Sequence, residues 1–158
     1  MVWTAGLPMN EKNFMELALD QAFAASARGE VPVGAVVVDG ATGEVLASAG
    51  NRVEELNDPT AHAEVLAIRK AGIARSSPRL EGCDLYVTLE PCAMCATAIS
   101  FARLRRIYFG AYDPKGGGID HGPQIFHQPT CHHAPEVYGG IRESEAATLL
   151  KDFFLARR

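Results

Sequence analysis

"DLYVTLEPCAMCATAISFARL", residues 84–104, changes character in its middle. From Asp84 to Glu90 it is apolar, β-branched and aromatic, the composition of a buried strand. From Cys92 to Leu104 it is rich in Ala with Met, Ile and Leu, and reads as a short helix. A strand that runs through Glu-Pro straight into a helix is the repeating step of an α/β fold.

The flanking segments extend that step. "RRIYFGAY" is the next strand, and "DPKGGGIDHGPQIFHQPTCHHAP" is a long loop of Gly, Pro and His, a length commonly associated with function. A weak strand, "EVYGGI", precedes a last helix, "SEAATLLKDFFLARR", with Ser144 as its expected cap. On the amino side, a polar loop through Asp58-Pro59 leads into "PTAHAEVLAIRK", residues 59–70, whose helix is expected to begin near Ala61. "VPVGAVVVD" is a nearly continuous apolar run, as for a strand covered on both faces, and "GATG" turns it into "EVLASAGN" as a hairpin. "NEKNFMELALDQAFAASARGE" places Phe14, Leu17, Ala18 and Ala22 on one helical stripe, with Asn10 as cap and Gly29 as stop. The expected architecture is α/β: a single three-layer α/β/α domain over residues 10–158 with a five-stranded mixed sheet, after a loose lead of residues 1–9.

A chain of 158 residues is long enough for one domain with a real core. Apolar residues make up 47% and charged residues 22%, the balance of a soluble globular protein. The net charge of −4 argues against a broad basic face for long nucleic acid and leaves room for a local basic patch. No apolar run approaches membrane-spanning length, so no membrane partner is expected. "MVWTAGLPMN" lacks a basic region followed by an apolar core, and four cysteines then read as thiols or metal ligands, with the cytoplasm as the expected compartment.

His62 and Glu64 form H-x-E, and about thirty residues later "EPCAMC" supplies P-C-x-x-C. Either half alone is weak: a histidine at a helix start is commonly a cap, and a lone C-x-x-C is redox-active or structural. Together, each at a strand-to-helix junction, they spell the zinc deaminase signature. His62, Cys92 and Cys95 are the expected ligands. His62 and Glu64 do not face each other on a helix, but they converge if the ion sits ahead of the helix N-terminus, near its axis. Two helix N-termini would then favour thiolates and an anionic nucleophile. Three ligands leave a fourth position for water, which zinc brings to a pKa of about 7. Glu64 is the expected proton shuttle, taking the water's proton and passing it to a ring nitrogen and the departing amine; its blander reading is a first-turn acid on the helix dipole.

At these residues the sequence resembles the cytidine/deoxycytidylate deaminase superfamily, and within it the bacterial branch that acts on adenosine in tRNA. The likeness runs through "EVPVGAVVV", "GNR", "DPTAHAE", "LYVTLEPCAMC", "YFGAYDPKGG" and "DFFLARR". The resemblance implies deamination of adenosine to inosine at the wobble position of an anticodon stem-loop, by a zinc-dependent homodimer. It further implies that Asn51 contacts the flipped base, that Asp113 lies near the target ribose, and that Lys115 contacts RNA. Val33 and Leu89 would wall the base pocket, while Phe154, Arg157 and Arg158 would meet the RNA loop. In blander readings Asn51 ends a strand, Asp113-Pro114 opens a turn, and Val33 and Leu89 are core. Phe153 and Phe154 cannot face the same way on one helix. His132 and His133 are adjacent and poorly spaced to share a metal with His121, His127 or Cys131, and Cys83 reads as a buried thiol.

Two alternatives stand beside the RNA reading. One is a zinc deaminase of a free base or nucleotide, of guanine or cytosine type. The other is a zinc-stabilised module that binds RNA or protein without chemistry, against which Glu64 argues, since a structural zinc has no use for a non-ligating carboxylate.

Overall fold

Alternation along the strands decides how the layers form. The computed structural model describes residues 10–157; the lead of residues 1–9 and Arg158 lie outside the described residues. Among the described residues five strands run β1 (Gly34–Asp39), β2 (Val45–Gly50), β3 (Cys83–Leu89), β4 (Arg106–Ala111) and β5 (Glu136–Tyr138). Among them, too, five α-helices run α1 (Glu11–Ala27), α2 (Val53–Leu56), α3 (Ala63–Arg75), α4 (Ala93–Ala102) and α5 (Glu143–Leu155). The sheet order is β2-β1-β3-β4-β5, with β1 antiparallel to both neighbours and β3, β4 and β5 parallel.

Side chains on a strand alternate between faces. Val36, Val38, Tyr86 and Tyr108 therefore share one core with Phe14, Met15 and Ala18 of α1. Ala35, Val37, Leu85, Val87, Ile107 and Phe109 point the other way, into a larger core with Ala63, Ala67 and Ala71 of α3 and Ala96 and Ile99 of α4. This is the expected three-layer α/β/α arrangement around a mixed sheet. On the α1 face an aromatic file crosses the strands: Phe14 to Tyr86 at 5.2 Å, Tyr86 to Tyr108 at 4.5 Å and Tyr108 to Tyr138 at 5.1 Å.

Helix α1 lies unusually close to the sheet because Gly34 has no side chain. A Cβ there would stand 2.0 Å from the Ala18 carbonyl oxygen and 2.6 Å from the Ala22 nitrogen. Gly34→Ala is expected to cost about 1–3 kcal/mol or more, the scale of overpacking, since backbone cannot rotate away. A denaturant midpoint equal to that of the parent would contradict the close approach.

Asn10 caps α1 as expected. Its Oδ1 accepts the Asn13 N–H at 3.2 Å, while Asn13 Oδ1 accepts the Asn10 N–H at 3.3 Å. Two local expectations are corrected. The last helix begins at Glu143 behind Arg142, which holds a left-handed φ of 54°, so Ser144 lies inside the first turn. The zinc-motif helix begins at Ala63, with His62 as its N-cap.

The register places one edge of the sheet at the centre of interest. Gly34 at the start of β1 pairs Gly50 at the end of β2, and Leu89 at the end of β3 pairs Ala111 at the end of β4. Val33, just before β1, and Asn51, Glu90 and Tyr112, just after β2, β3 and β4, lie directly beyond these ends, so the loops that carry the motifs emerge side by side. Such an edge, beyond the carboxyl ends of parallel strands, is where α/β sheets bind ligands.

Candidate metal centre and active site

Both motif helices begin with a ligand candidate as the cap. His62 (φ −75°, ψ 150°) precedes α3 and Cys92 (φ −70°, ψ 175°) precedes α4, and neither side chain caps its own helix. Their extended backbones turn the side chains ahead of the helix ends. His62 Nδ1 thereby lies 3.7 Å from Cys92 Sγ and 3.5 Å from Cys95 Sγ. Among the described residues, this is the group of His, Cys, Asp and Glu side chains whose donor atoms could hold a metal ion. Zinc bonds of about 2.3 Å to sulfur and 2.0–2.1 Å to nitrogen, at the tetrahedral angle, set nitrogen and sulfur about 3.6 Å apart. The observed edges fit that requirement, and the donor set of one imidazole and two sulfurs suits zinc.

A cavity of about 550 Å³ opens over the cluster. Val33, Asn51, Glu64, Leu89 and Asp113 all line it, beside His62 and Cys92. Asn51 does a second job: its Oδ1 accepts the Ala63 N–H at 2.8 Å, which caps α3 from a neighbouring loop. With the oxygen committed to the helix, the Nδ2 hydrogens are what Asn51 can offer a ligand. Asp113 opens a turn, its Oδ1 accepting the N–H of Lys115 at 3.2 Å and of Gly116 at 2.9 Å.

Lys115 and Phe154 are not in the cavity wall. Lys115 is exposed within the Asp113 turn. On α5 the inward residue is Phe153, 6% exposed, and its neighbour Phe154 is 51% exposed. Phe153 and Arg157 line the cavity instead, with the guanidinium 3.5 Å from the Phe153 ring centroid. Their four-residue spacing is the signal that could have found the pair in the sequence.

A model of the cytidine and deoxycytidylate deaminase zinc-binding region matches residues 8–111. The chain belongs to that family. It is 60% identical over 146 residues to the tRNA-specific adenosine deaminase of Agrobacterium fabrum, covering 92% of this chain and 95% of the relative. A solved structure from studies of A-to-I editing by tRNA:A34 deaminases at the wobble position of transfer RNA superposes with a TM-score of 0.84 at 61% identity. That match covers 87% of this chain and 98% of the other. A guanine deaminase from Nitrosomonas europaea shares the fold, with a TM-score of 0.81 at 21% identity over 96% of each chain.

The electrostatics suit a deaminase site. Glu64 is 4% exposed, and burial pushes its carboxyl up to about 6, partly offset by hydrogen bonding and by His62. A carboxyl poised there can both take and give a proton near neutrality. The Cys95 thiol donates toward Cys92 and holds that thiol down at about 4, while Cys95 itself is pushed up as the donor in a buried place. Cys92 in turn raises His62. The cluster therefore already favours one thiolate, the form that binds a metal.

Two buried carboxylates in the wall escaped the sequence reading. Glu30, 2% exposed, accepts the N–H groups of Glu54 at 3.1 Å and Glu55 at 2.9 Å and so caps α2. Glu90, 1% exposed, gathers the loop after β4. Its signal in the sequence was a charge at the carboxyl end of a largely apolar strand. The His-rich loop holds no metal-ligand group among the described residues. His121 Nδ1 bonds Glu90 at 2.8 Å, and His133 Nε2 bonds the Leu104 carbonyl at 2.7 Å.

Proposed function

We propose that this protein deaminates adenosine to inosine at the wobble position of a tRNA anticodon, with His62, Cys92 and Cys95 holding a zinc ion. The single observation that carries the chemistry is the convergence of the Cys92 and Cys95 sulfurs on His62 Nδ1, at 3.7 and 3.5 Å, beside buried Glu64 under one cavity. The substrate rests on the 60% identity to a tRNA-specific adenosine deaminase across nearly its whole length. Zinc, when bound there, supplies a Lewis acid that makes water nucleophilic at neutral pH.

The chain's own residues do the rest. Glu64 takes one proton from the attacking water and delivers it to the ring nitrogen beside the reacting carbon, then takes the second from the new hydroxyl and passes it to the amine, which leaves as ammonia. Water enters, the C–N bond breaks, and a carbonyl remains. Asn51 donates to an acceptor on the base edge, Val33 and Leu89 press on its faces, and Asp113 stands at the sugar. Lys115 and Phe154, exposed and outside the wall, would meet the rest of the loop, beyond the flipped nucleotide. On the same reading residues 10–158 are the deaminase domain, residues 1–9 a lead, and the compartment is the cytoplasm. No helix among the described residues is long and apolar enough to cross a membrane. A homodimer is supported by the resemblance and by α4, whose Met94 and Phe101, seven positions apart on one stripe, are 36% and 78% exposed.

A single-stranded loop makes extrusion of the base cheap, and stacking on aromatic side chains is worth about 1–3 kcal/mol per base. An anticodon stem-loop with adenosine at the wobble position is therefore expected to be converted to inosine, and free adenosine to be a poor substrate. Product analysis on the stem-loop, guanine and cytidine in parallel checks this. Rapid deamination of guanine with the stem-loop unchanged would transfer the assignment to the free-base deaminases.

A further inference from the structure

Glu90 holds a position that neither metal binding nor proton transfer uses. It follows directly on the end of β3, two residues before Cys92, and its side chain is 0% exposed. Five N–H donors converge on its two oxygens. Oε1 accepts from the backbone of Asp113 at 3.1 Å and from His121 Nδ1 at 2.8 Å. Oε2 accepts from three successive backbone groups, Ile119 at 3.2 Å, Asp120 at 3.0 Å and His121 at 3.2 Å. Consecutive amides turned inward make a nest for an anion, and here the anion is part of the chain.

The segment from Asp113 to His121 is thereby drawn down as a strap across the junction between β3 and α4. Its glycines make the closeness possible. A Cβ on Gly117 would stand 2.3 Å from Glu90 Oε2, and one on Gly118 2.6 Å from the Ala93 nitrogen. Further bonds lock the strap in place: Gly118 N–H to the Pro91 carbonyl, Gly117 N–H to the Asp113 carbonyl and Ile125 N–H to the Gly118 carbonyl, each 2.8 Å. Asp113 and Lys115, at the near end of the strap, owe their placement to bonds made at Glu90.

We propose that Glu90 is a positioning residue: its buried carboxylate gathers the Asp113–His121 strap and so sets where Asp113 and Lys115 meet the substrate beside the His62, Glu64 and Cys92 centre. This rests on the functional reading above for the identity of the substrate, and on the structure alone for the strap. The carboxylate is fully covered and committed to five donors, so it acts through the strap and not on the reacting atoms. Only a carboxylate serves. An amide has one acceptor oxygen, and its NH₂ would face N–H groups.

Glu90→Gln therefore keeps one half of the anchor and loses the other. With about one zinc per chain retained, KM for the stem-loop is expected to rise about tenfold, with kcat within about threefold of the parent, the scale of one charge-assisted hydrogen bond lost in placement. Hydrogen exchange at the amides of residues 113–121 should accelerate about tenfold or more, while α3 and α4 exchange as before. Gly117→Ala, which leaves the carboxylate intact but pushes the strap off it, is the second variant, and the same pattern is expected. Unchanged exchange in the strap, or a fall in kcat with KM unaltered, would overturn the proposal. The exchange readout needs no substrate, so it decides the role of Glu90 even if the parent proves to act on guanine, and the KM split is then read on that base.

Discussion

Glu64→Ala, purified with its zinc in place, is expected to process the anticodon stem-loop at least about 10²–10⁴-fold more slowly than the parent, since in the proposed mechanism Glu64 serves more than one proton transfer. The loss is chemical, not structural. Glu64 lies in the first turn of α3, 4% exposed, and alanine at that position keeps the helix. In metal-stripped protein the substitution even removes a liability. Burial raises the carboxyl to about 6, so the folded state holds this proton more tightly than the unfolded chain. The stability that comes with that proton is fully present below the ordinary carboxyl range and is lost as pH rises through about 6. At pH 7.5 the relief on truncation amounts to about 2 kcal/mol, and it vanishes near pH 4. Single-turnover assays, zinc analysis and melting curves at the two pH values together check the expectation. Parent-like turnover by a zinc-loaded variant would remove Glu64 from the mechanism.

Cys92→Ala is expected to lose metal and stability together. Three donors converge from two helix starts, and removing the sulfur already disposed to be a thiolate leaves an imidazole and one buried thiol. Each thousandfold weakening of binding removes about 4 kcal/mol of ligand-linked stability at saturating zinc. Metal analysis should find far less than one zinc per chain. A chelator that lowers the parent's melting temperature should leave the variant's where it is. Full occupancy in Cys92→Ala would mean that Cys92 is not a ligand.

What was legible beforehand depended on how local each signal was. β1 could be read because both its faces are covered, which writes an unbroken apolar run into "VGAVVV". The His62, Cys92 and Cys95 cluster could be read because each half of its signature sits on one short segment, at a helix start. Helix α2 could not. "VEEL" has no apolar stripe and no buried residue, and its first N–H groups are capped by Glu30, more than twenty positions earlier. Ser144 is a better intrinsic cap than Arg142, yet Arg142 ends the preceding turn, bridging Glu145 at 2.6 Å and Glu16 of α1 at 3.4 Å. A tertiary contact overrode a local preference. The choice between Phe153 and Phe154 was of the same kind: helical period says that one is inside, and only packing says which. Glu90 was invisible as an anchor because its donors lie 23 to 31 residues further on.

The helix starts that carry His62 and Cys92 are also the places where the fold gives up intrinsic stability. A serine, threonine, aspartate or asparagine at either cap would satisfy a free amide and contribute about 1 kcal/mol. Histidine and cysteine make no such bond here. One of the two deficits is met from outside, by Asn51 reaching across to Ala63 at 2.8 Å. The same amide is thus a repair to the scaffold and, on the proposed function, an offering to the substrate. Sturdiness alone would favour other residues at both caps, so the histidine and the cysteine that stand there set what the site demands against what the helices prefer.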